Sequence, residues 1–340
     1  AEGATGAVEV LAVDVRHDLA LVRAAHFAPP PLRFAAAIPM KGARAYSIGF
    51  PLDVGLTITE GISNGKVDAS YEPRIHYSGA INGGMSGGPA LNAEGEVIGI
   101  NVSGYRFEQL ISFLVPAEHA AALVKPVLPD NANPDALKQD VARQLRAHSR
   151  ALLEALAGAM PTQATAGFQL PAKLAPFVDC NAGGDPASQD PVQAIRIGCA
   201  AKAGVFVQQG LMAGDIRFSH TVLTTEKLDA WRFARRLSNQ SSGGGSLAGL
   251  IGFIGGGPMR LVGPYACEDR VVGLKGFDAR VVVCTRAYRK FDGLYDFVVR
   301  VTSMSGSKRG FASRLNMTGH EFDSAMMFVQ RYVQGMELQP

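Results

Sequence analysis

Apolar and polar positions alternate in short runs through the first 128 residues. VEVLAVDV, GLTITEG, RIHYSGA and EVIGINV each predict a strand with one buried face, separated by turn residues. Their close spacing predicts an antiparallel barrel or sandwich. The pattern breaks at PVLPDNANPD and turns helical from Pro134 to Met160. There Leu137, Val141, Leu145, Leu152 and Leu156 recur at spacings of four or seven, Asp135 sits in the first turn and Pro161 stops the run. Residues 165–340 predict an α+β unit. Its strands are QAIRIGCAA, VFVQQGLM, DIRFSHTVL, DRVVGLKG, ARVVVCT and LYDFVVRVTSM, and its helices run over Thr225–Leu237 and Gly319–Val333. The layout is thus 1–128, a linking helical stretch over 129–164, and 165–340. A weak duplication is suggested inside the last part, where Glu226/Glu321, Ala230/Ala325, Phe233/Phe328 and Arg236/Arg331 align. Between the two halves, SSGGGSLAGLIGFIGGGP reads as a loop. Its glycines do not follow a strand, as a nucleotide-binding loop requires.

Length and composition narrow the function classes. The 340 residues suffice for two domains, each with its own core. A net charge of +3, with no basic run carrying interleaved aromatics, excludes a nucleic-acid footprint. No stretch approaches the ~18 to 20 apolar residues that span a bilayer, and no signal-peptide pattern opens the sequence. All four cysteines, Cys180, Cys199, Cys267 and Cys284, fall in the second half. An even count in one unit suits two disulfides and an oxidising compartment, against the alternative of four unpaired core thiols; the pairing is open. Their spacings match no zinc site, and no metal or cofactor is expected.

The chemistry lies in INGGMSGGPALNAEGEVIGINVS, Ile81 to Ser103, which holds Ser86 in Gly84-Met85-Ser86-Gly87-Gly88-Pro89. A serine hydroxyl needs a base, and its attack creates an oxyanion that needs preorganised donors. Glycine at 84 lets the chain turn so that its amide and that of Ser86 can point at one oxygen. Gly84-x-Ser86-x-Gly88 also fits the nucleophile elbow of α/β-hydrolases. That motif needs a helix directly after the serine, and Gly-Gly-Pro, a turn and a strand follow instead.

This segment resembles the nucleophile segment of the trypsin-like serine peptidases, closest to their HtrA/Deg branch. VLAVDVRHDLALVRA resembles the segment carrying that family's triad aspartate, which maps onto Asp18. ARAYSIGFPLDVGLTITEGISNG resembles the start of its second barrel. LISFLVPAEHAAALV resembles its closing strand and helix, with Ile111, Ser112 and Phe113 at the substrate-binding positions. The resemblance covers residues 5–128. It implies a mainly β, trypsin-like double-barrel domain with its first barrel incomplete; the linker helix and the α+β accessory domain that follow are read from the residue pattern, which the resemblance does not reach. It implies a serine endopeptidase acting on protein or peptide substrates through Asp18 and Ser86, with Gly84 and Ser86 forming the oxyanion hole. It also implies a periplasmic or secreted location and a homo-oligomer. No acidic residue stands in Ile75–Ala80, so a small or medium apolar side chain is expected before the scissile bond.

One departure matters. The family's general-base histidine precedes its aspartate, and nothing upstream of Asp18 has that context. His17 adjoins Asp18, but alternation turns it elsewhere. The other histidines are expected at the surface or at caps. The first barrel is therefore expected to be incomplete, with the missing strands and the histidine in a longer parent, so that this chain alone is nearly inactive. The alternative is a non-catalytic relative of the same fold that uses its groove to bind peptides. The second part lacks the glycine-flanked loop, with its strand and helix, of the PDZ domain that usually follows in that branch. Asp215, Ser219 and His220 lie on one strand whose neighbours alternate faces, so they do not form a working set.

Overall fold

The computed structural model describes residues 6–25, 30–104, 110–125, 133–184, 189–208, 211–242, 261–304 and 306–339. They belong to two compact units, residues 1–144 and 145–340.

In the first unit β1 (Val8–Asp14) and β2 (Leu19–Ala24) pair as an antiparallel hairpin. Six further strands close a barrel: β3 (Ala43–Gly49), β4 (Thr57–Lys66), β5 (Ile75–Tyr77), β6 (Pro89–Leu91), β7 (Val97–Gly104) and β8 (Ser112–Pro116). Their order is β3-β4-β5-β8-β7-β6. The alternation visible in the sequence sends Ala45, Ile75, Tyr77, Ala90, Ile98 and Leu114 inward as one core. The Tyr77 ring fixes two neighbours as glycine. A Cβ on Gly79 would lie 2.1 Å from the Tyr77 hydroxyl oxygen, and one on Gly61 would lie 2.7 Å from its ring. The hydroxyl donates to the Thr59 carbonyl at 2.6 Å.

Helix α1 (Ala117–Val124) follows β8 and packs on β1, β2 and β7. Helix α2 (Pro134–Ala155) begins where Asn133 Oδ1 accepts the amides of Asp135 and Ala136, which caps it. Of the expected stripe, Leu145, Leu152 and Leu156 are buried. The boundary between the units falls inside this helix.

The second unit is built on a seven-stranded antiparallel sheet of order β11-β12-β15-β19-β18-β17-β16. Its strands are β11 (Val178–Gly184), β12 (Gln193–Ala201), β15 (Asp215–Thr224), β16 (Ala266–Leu274), β17 (Phe277–Ala287), β18 (Leu294–Ser303) and β19 (Arg309–Glu321). Shorter strands are β9 (Thr162–Thr165), β10 (Phe168–Pro171) and β20 (Glu337–Leu338) in one small sheet, and β13 (Val205–Gln208) with β14 (Leu211–Ala213) in a hairpin. Helices α3 (Ala230–Ser242) and α4 (Phe322–Gln334) also belong to it.

One sheet face is apolar and covered. Phe218 and Tyr332 meet edge to face with centroids 5.6 Å apart, Phe168 packs the same way on Phe277 and Phe311, and the Tyr332 and Ser313 hydroxyls are hydrogen-bonded at 2.8 Å. The other face is mixed: Arg196, Arg217 and Ser219 are exposed on its polar part, while Leu223 is buried against Phe233 and Leu237, and Cys284 against Val298.

The four cysteines form two cross-strand bridges between directly opposed residues. Cys180–Cys199 joins β11 to β12 with Cα atoms 4.1 Å apart, and Cys267–Cys284 joins β16 to β17 at 4.0 Å. Each outermost strand of the sheet is therefore covalently tied to its inner neighbour.

Several local expectations are corrected. Strand β19, paired on both sides, was not anticipated. Helix α3 starts at Ala230 and not at Thr225, because Thr225 Oγ1 accepts the amides of Lys227 and Leu228 in a preceding turn. Asp229 then caps the helix through the Arg232 amide at 2.8 Å. His148, His220 and His320, expected at the surface, are buried. The glycine-rich stretch from residue 243 to 260 lies outside the described residues.

Candidate active site

The segment after Ser86 is strand, turn and strand, with β6 and β7 antiparallel, so no helix follows the serine. The nucleophile loop is fixed from below by two side chains. Met85 is fully buried, and a Cβ on Gly49 would lie 2.7 Å from its Cα. Asn101, buried on β7, donates from Nδ2 to the carbonyls of Ile48 and Met85 at 3.1 Å each, while its Oδ1 accepts the Ser47 hydroxyl at 2.9 Å. Its backbone adds two bonds, from the Gly87 amide to its carbonyl and from its amide to the Gly88 carbonyl, both 2.9 Å. One residue thereby holds both sides of the Ser86 turn. It was missed from sequence, where it reads only as an interruption in an apolar strand. We predict that Asn101→Ala lowers stability by about 2–3 kcal/mol, because buried carbonyls lose their donors. Urea unfolding of the two proteins measures this.

Gly84 has φ +99°, in the region that favours glycine, and a Cβ there would lie 2.2 Å from the Phe50 carbonyl oxygen. Among the described residues, neither the Gly84 nor the Ser86 amide donates to an internal acceptor. The Ser86 hydroxyl is exposed and rests on the Val102 carbonyl at 3.3 Å.

Asp18 sits at the tip of the β1–β2 hairpin with φ +60°, a conformation that aspartate tolerates in turns. It lines the same pocket as Ser86. The pocket has a volume of about 310 Å³, and Leu19, Gly87, Val102 and Leu123 also line it. Nearby, burial lowers the pKa of the Arg74 guanidinium, opposed by the carboxylates of Asp18, Glu72 and Asp14.

His17 points elsewhere. Its Nδ1 lies 2.7 Å from Asp14 Oδ2, and its ring stacks on His119 with centroids 3.6 Å apart. Burial pulls down the His119 imidazole, and His17 beside it adds to the effect. Asp14 is held below the usual carboxylate range because its bonds to His17 outweigh the opposing effect of burial. No described histidine lines the pocket of Asp18 and Ser86; His26 lies outside the described residues.

Ser112 and Phe113 open β8 and pair with Tyr77 and His76 on β5, with Ile111 just before them. The Ser112 side chain is buried, and those of Ile111 and Phe113 are half-buried. On β15, Ser219 is exposed on the polar part of the mixed face. His220 is buried on the other face with its Nε2 on the Pro171 carbonyl at 2.8 Å, and Asp215 pairs with Arg217 at 2.8 Å. These three residues do not assemble. Among the described residues, no cluster of His, Cys, Asp and Glu is arranged to hold a metal ion. No helix there is long and apolar enough to cross a membrane.

Parts of the chain are similar to known proteins. Residues 1–100 match the trypsin-like peptidase domain. A "Probable periplasmic serine endoprotease DegP-like" of Chlamydia pneumoniae is 34% identical over 130 residues, covering 36% of this chain and 27% of the relative. A "Probable periplasmic serine protease do/HhoA-like" of Haemophilus influenzae is 37% identical over 91 residues, covering 24% of this chain and 20% of the relative. The chain thus spans about a quarter of the length of these curated relatives. Among solved structures, the active form of the Rv3671c protease from M. tuberculosis is 22% identical with a TM-score of 0.36, over 39% of this chain and 64% of that one. Taken together, the motifs around Ser86 and Asp18, the closed barrel and the relatives make the N-terminal part of this chain a trypsin-like serine peptidase domain of the HtrA/Deg branch.

Proposed function

We propose that the chain is part of a serine endopeptidase in which Ser86 is the nucleophile and Asp18 the orienting carboxylate. The observation that carries this reading is that both residues, distant in sequence, line one pocket. A histidine that no described residue supplies would occupy the space between them. It would take the Ser86 proton while Asp18 stabilises the imidazolium, and the unpaired amides of Gly84 and Ser86 would receive the oxyanion. An acyl-enzyme would form and be hydrolysed by water. The substrate strand would run beside Ile111, Ser112 and Phe113. The same proposal includes the layout of peptidase portion 1–128, helical link 129–164 and accessory unit 165–340. It also includes a periplasmic or secreted location, supported by the two bridges and the relatives' names, and assembly into a homo-oligomer.

The test is covalent labelling of the full-length protein with a fluorophosphonate. Labelling is expected on the peptide containing Ser86, is lost in Ser86→Ala, and is slowed by about 10³- to 10⁴-fold in Asp18→Asn. A well-folded full-length protein that takes no label would overturn the enzymatic reading and leave a peptide-binding relative.

A further inference from the structure

A second concave site lies in the C-terminal unit, where the first turns of α3 meet the segment leading into β12. Its volume is about 270 Å³, and Asp190, Val192, Leu228, Arg232, Arg235 and Arg236 line it. Phe233 and Leu237 point from α3 into the unit's own core with Val192 and Leu223. The opposite side of the helix therefore carries a run of cations. Arg236 pairs with Asp190, and Arg232 reaches Asp229 at 3.5 Å. Arg235 has no carboxylate partner among the described residues. Among the described lining residues, three guanidiniums thus face a single carboxylate. Guanidinium forks match carboxylates in geometry and charge.

Trp231 stands beside this cluster on the same helix and is 80% exposed. It lies one turn from Arg235, so the two side chains are neighbours on the helix surface. Tryptophan and arginine are the side chains that dominate binding hot spots. The remaining exposed side of α3, with Arg232, Arg235, Asn239 and Gln240, offers no apolar stripe that a bilayer could take up. A finite pocket with apolar walls at Val192 and Leu228 fits discrete side chains better than a lipid surface.

We infer that this pocket and Trp231 form a docking site for an acidic peptide segment, its carboxylates on Arg232, Arg235 and Arg236 and an apolar side chain of the segment against Trp231. The chain's single tryptophan is at the site, so its fluorescence reports occupancy directly. The probe is a blocked peptide of four glutamates flanking one phenylalanine, titrated into the full chain. Saturable change of Trp231 emission is expected, weakening as salt rises. Arg235→Gln should weaken binding by about tenfold, the worth of one charge-assisted hydrogen bond, and Arg196→Gln on the polar part of the mixed sheet face should leave it unchanged. Three results would overturn the inference: no saturation with the peptide, equal affinity for a lysine-for-glutamate counterpart, or an emission change with phosphatidylglycerol vesicles or inorganic phosphate but not with the peptide. The measurement reads binding alone, so it does not depend on whether Ser86 is catalytic.

Discussion

Between pH 7 and pH 5 the two buried histidines of the C-terminal unit are expected to remove about 2 kcal/mol of stability each. His220 and His320 are completely buried, and burial pushes both imidazoles down to about 4 from an ordinary 6.5, against a smaller opposing bond to a backbone carbonyl. Neither site has room for a second proton. His220 Nε2 faces the Pro171 carbonyl, its Nδ1 has no partner, and its ring lies parallel to Tyr332. His320 uses both nitrogens already, with Nδ1 on the Ser149 hydroxyl at 3.2 Å and Nε2 on the Asp215 carbonyl at 3.3 Å. Above pH 6.5 neither the folded nor the unfolded chain is protonated at these sites, and the full stability is present. Below it the unfolded chain takes up protons that the folded one refuses, so stability falls until the pH reaches about 4. Asp215 and Asp296, raised above the carboxylate range by burial, act in the opposite direction. The decisive measurement is therefore a comparison with His220→Gln, which keeps an N–H donor for Pro171 but cannot titrate. Its denaturation free energy should fall between pH 7 and 5 with a slope smaller by one proton. Equal slopes would show that His220 is protonated in the folded state.

The second large effect is expected from reduction. The two bridges close loops with separations of 19 and 17 residues. Loops of that size are worth about 3 kcal/mol each through the unfolded chain's lost freedom. Strand β16 has little else to hold it. Every residue from Ala266 to Gly273 is exposed, and among the described residues it pairs on one side only. Cys267→Ser with Cys284→Ser is therefore expected to lower stability by about 3 kcal/mol and to release β16 first. Hydrogen exchange separates the two effects, because amides bonded between β16 and β17 should lose protection before those between β18 and β19. Unchanged protection at β16 in the reduced protein would refute the second half of this expectation.

The sequence was most legible where side chains alternate without interruption. The barrel strands around Ala45, Ile75 and Ile98 follow the apolar period, and the Gly-x-Ser-Gly-Gly-Pro segment carries its own turn chemistry. Strand β19 escaped notice because its inward positions are Phe311, Ser313, Leu315 and Met317. A serine in that row breaks the apolar period, and only Tyr332, arriving from α4, makes Ser313 an acceptable core residue. His220 and His320 were misread for the same reason, since the carbonyls that satisfy them come from Pro171 and Asp215, far away in the chain. Asn101 looked like a blemish in EVIGINV, because its three side-chain partners lie on β3 and in the turn before Ser86. In each case a polar residue within an apolar row was hiding a long-range hydrogen bond.

The placement of the bridges also bears on how the cysteines find one another. Four cysteines allow three pairings. Each observed pair lies within its own hairpin, at directly opposed positions, so each can oxidise as soon as its two strands meet. Either mispairing must close a far longer loop, which is entropically dearer. Once formed, each bond also forbids a one-residue slip, which would turn every side chain of an outer strand to the wrong face. Oxidative folding of this unit can therefore fix the registers of both margins before the central strands are in place.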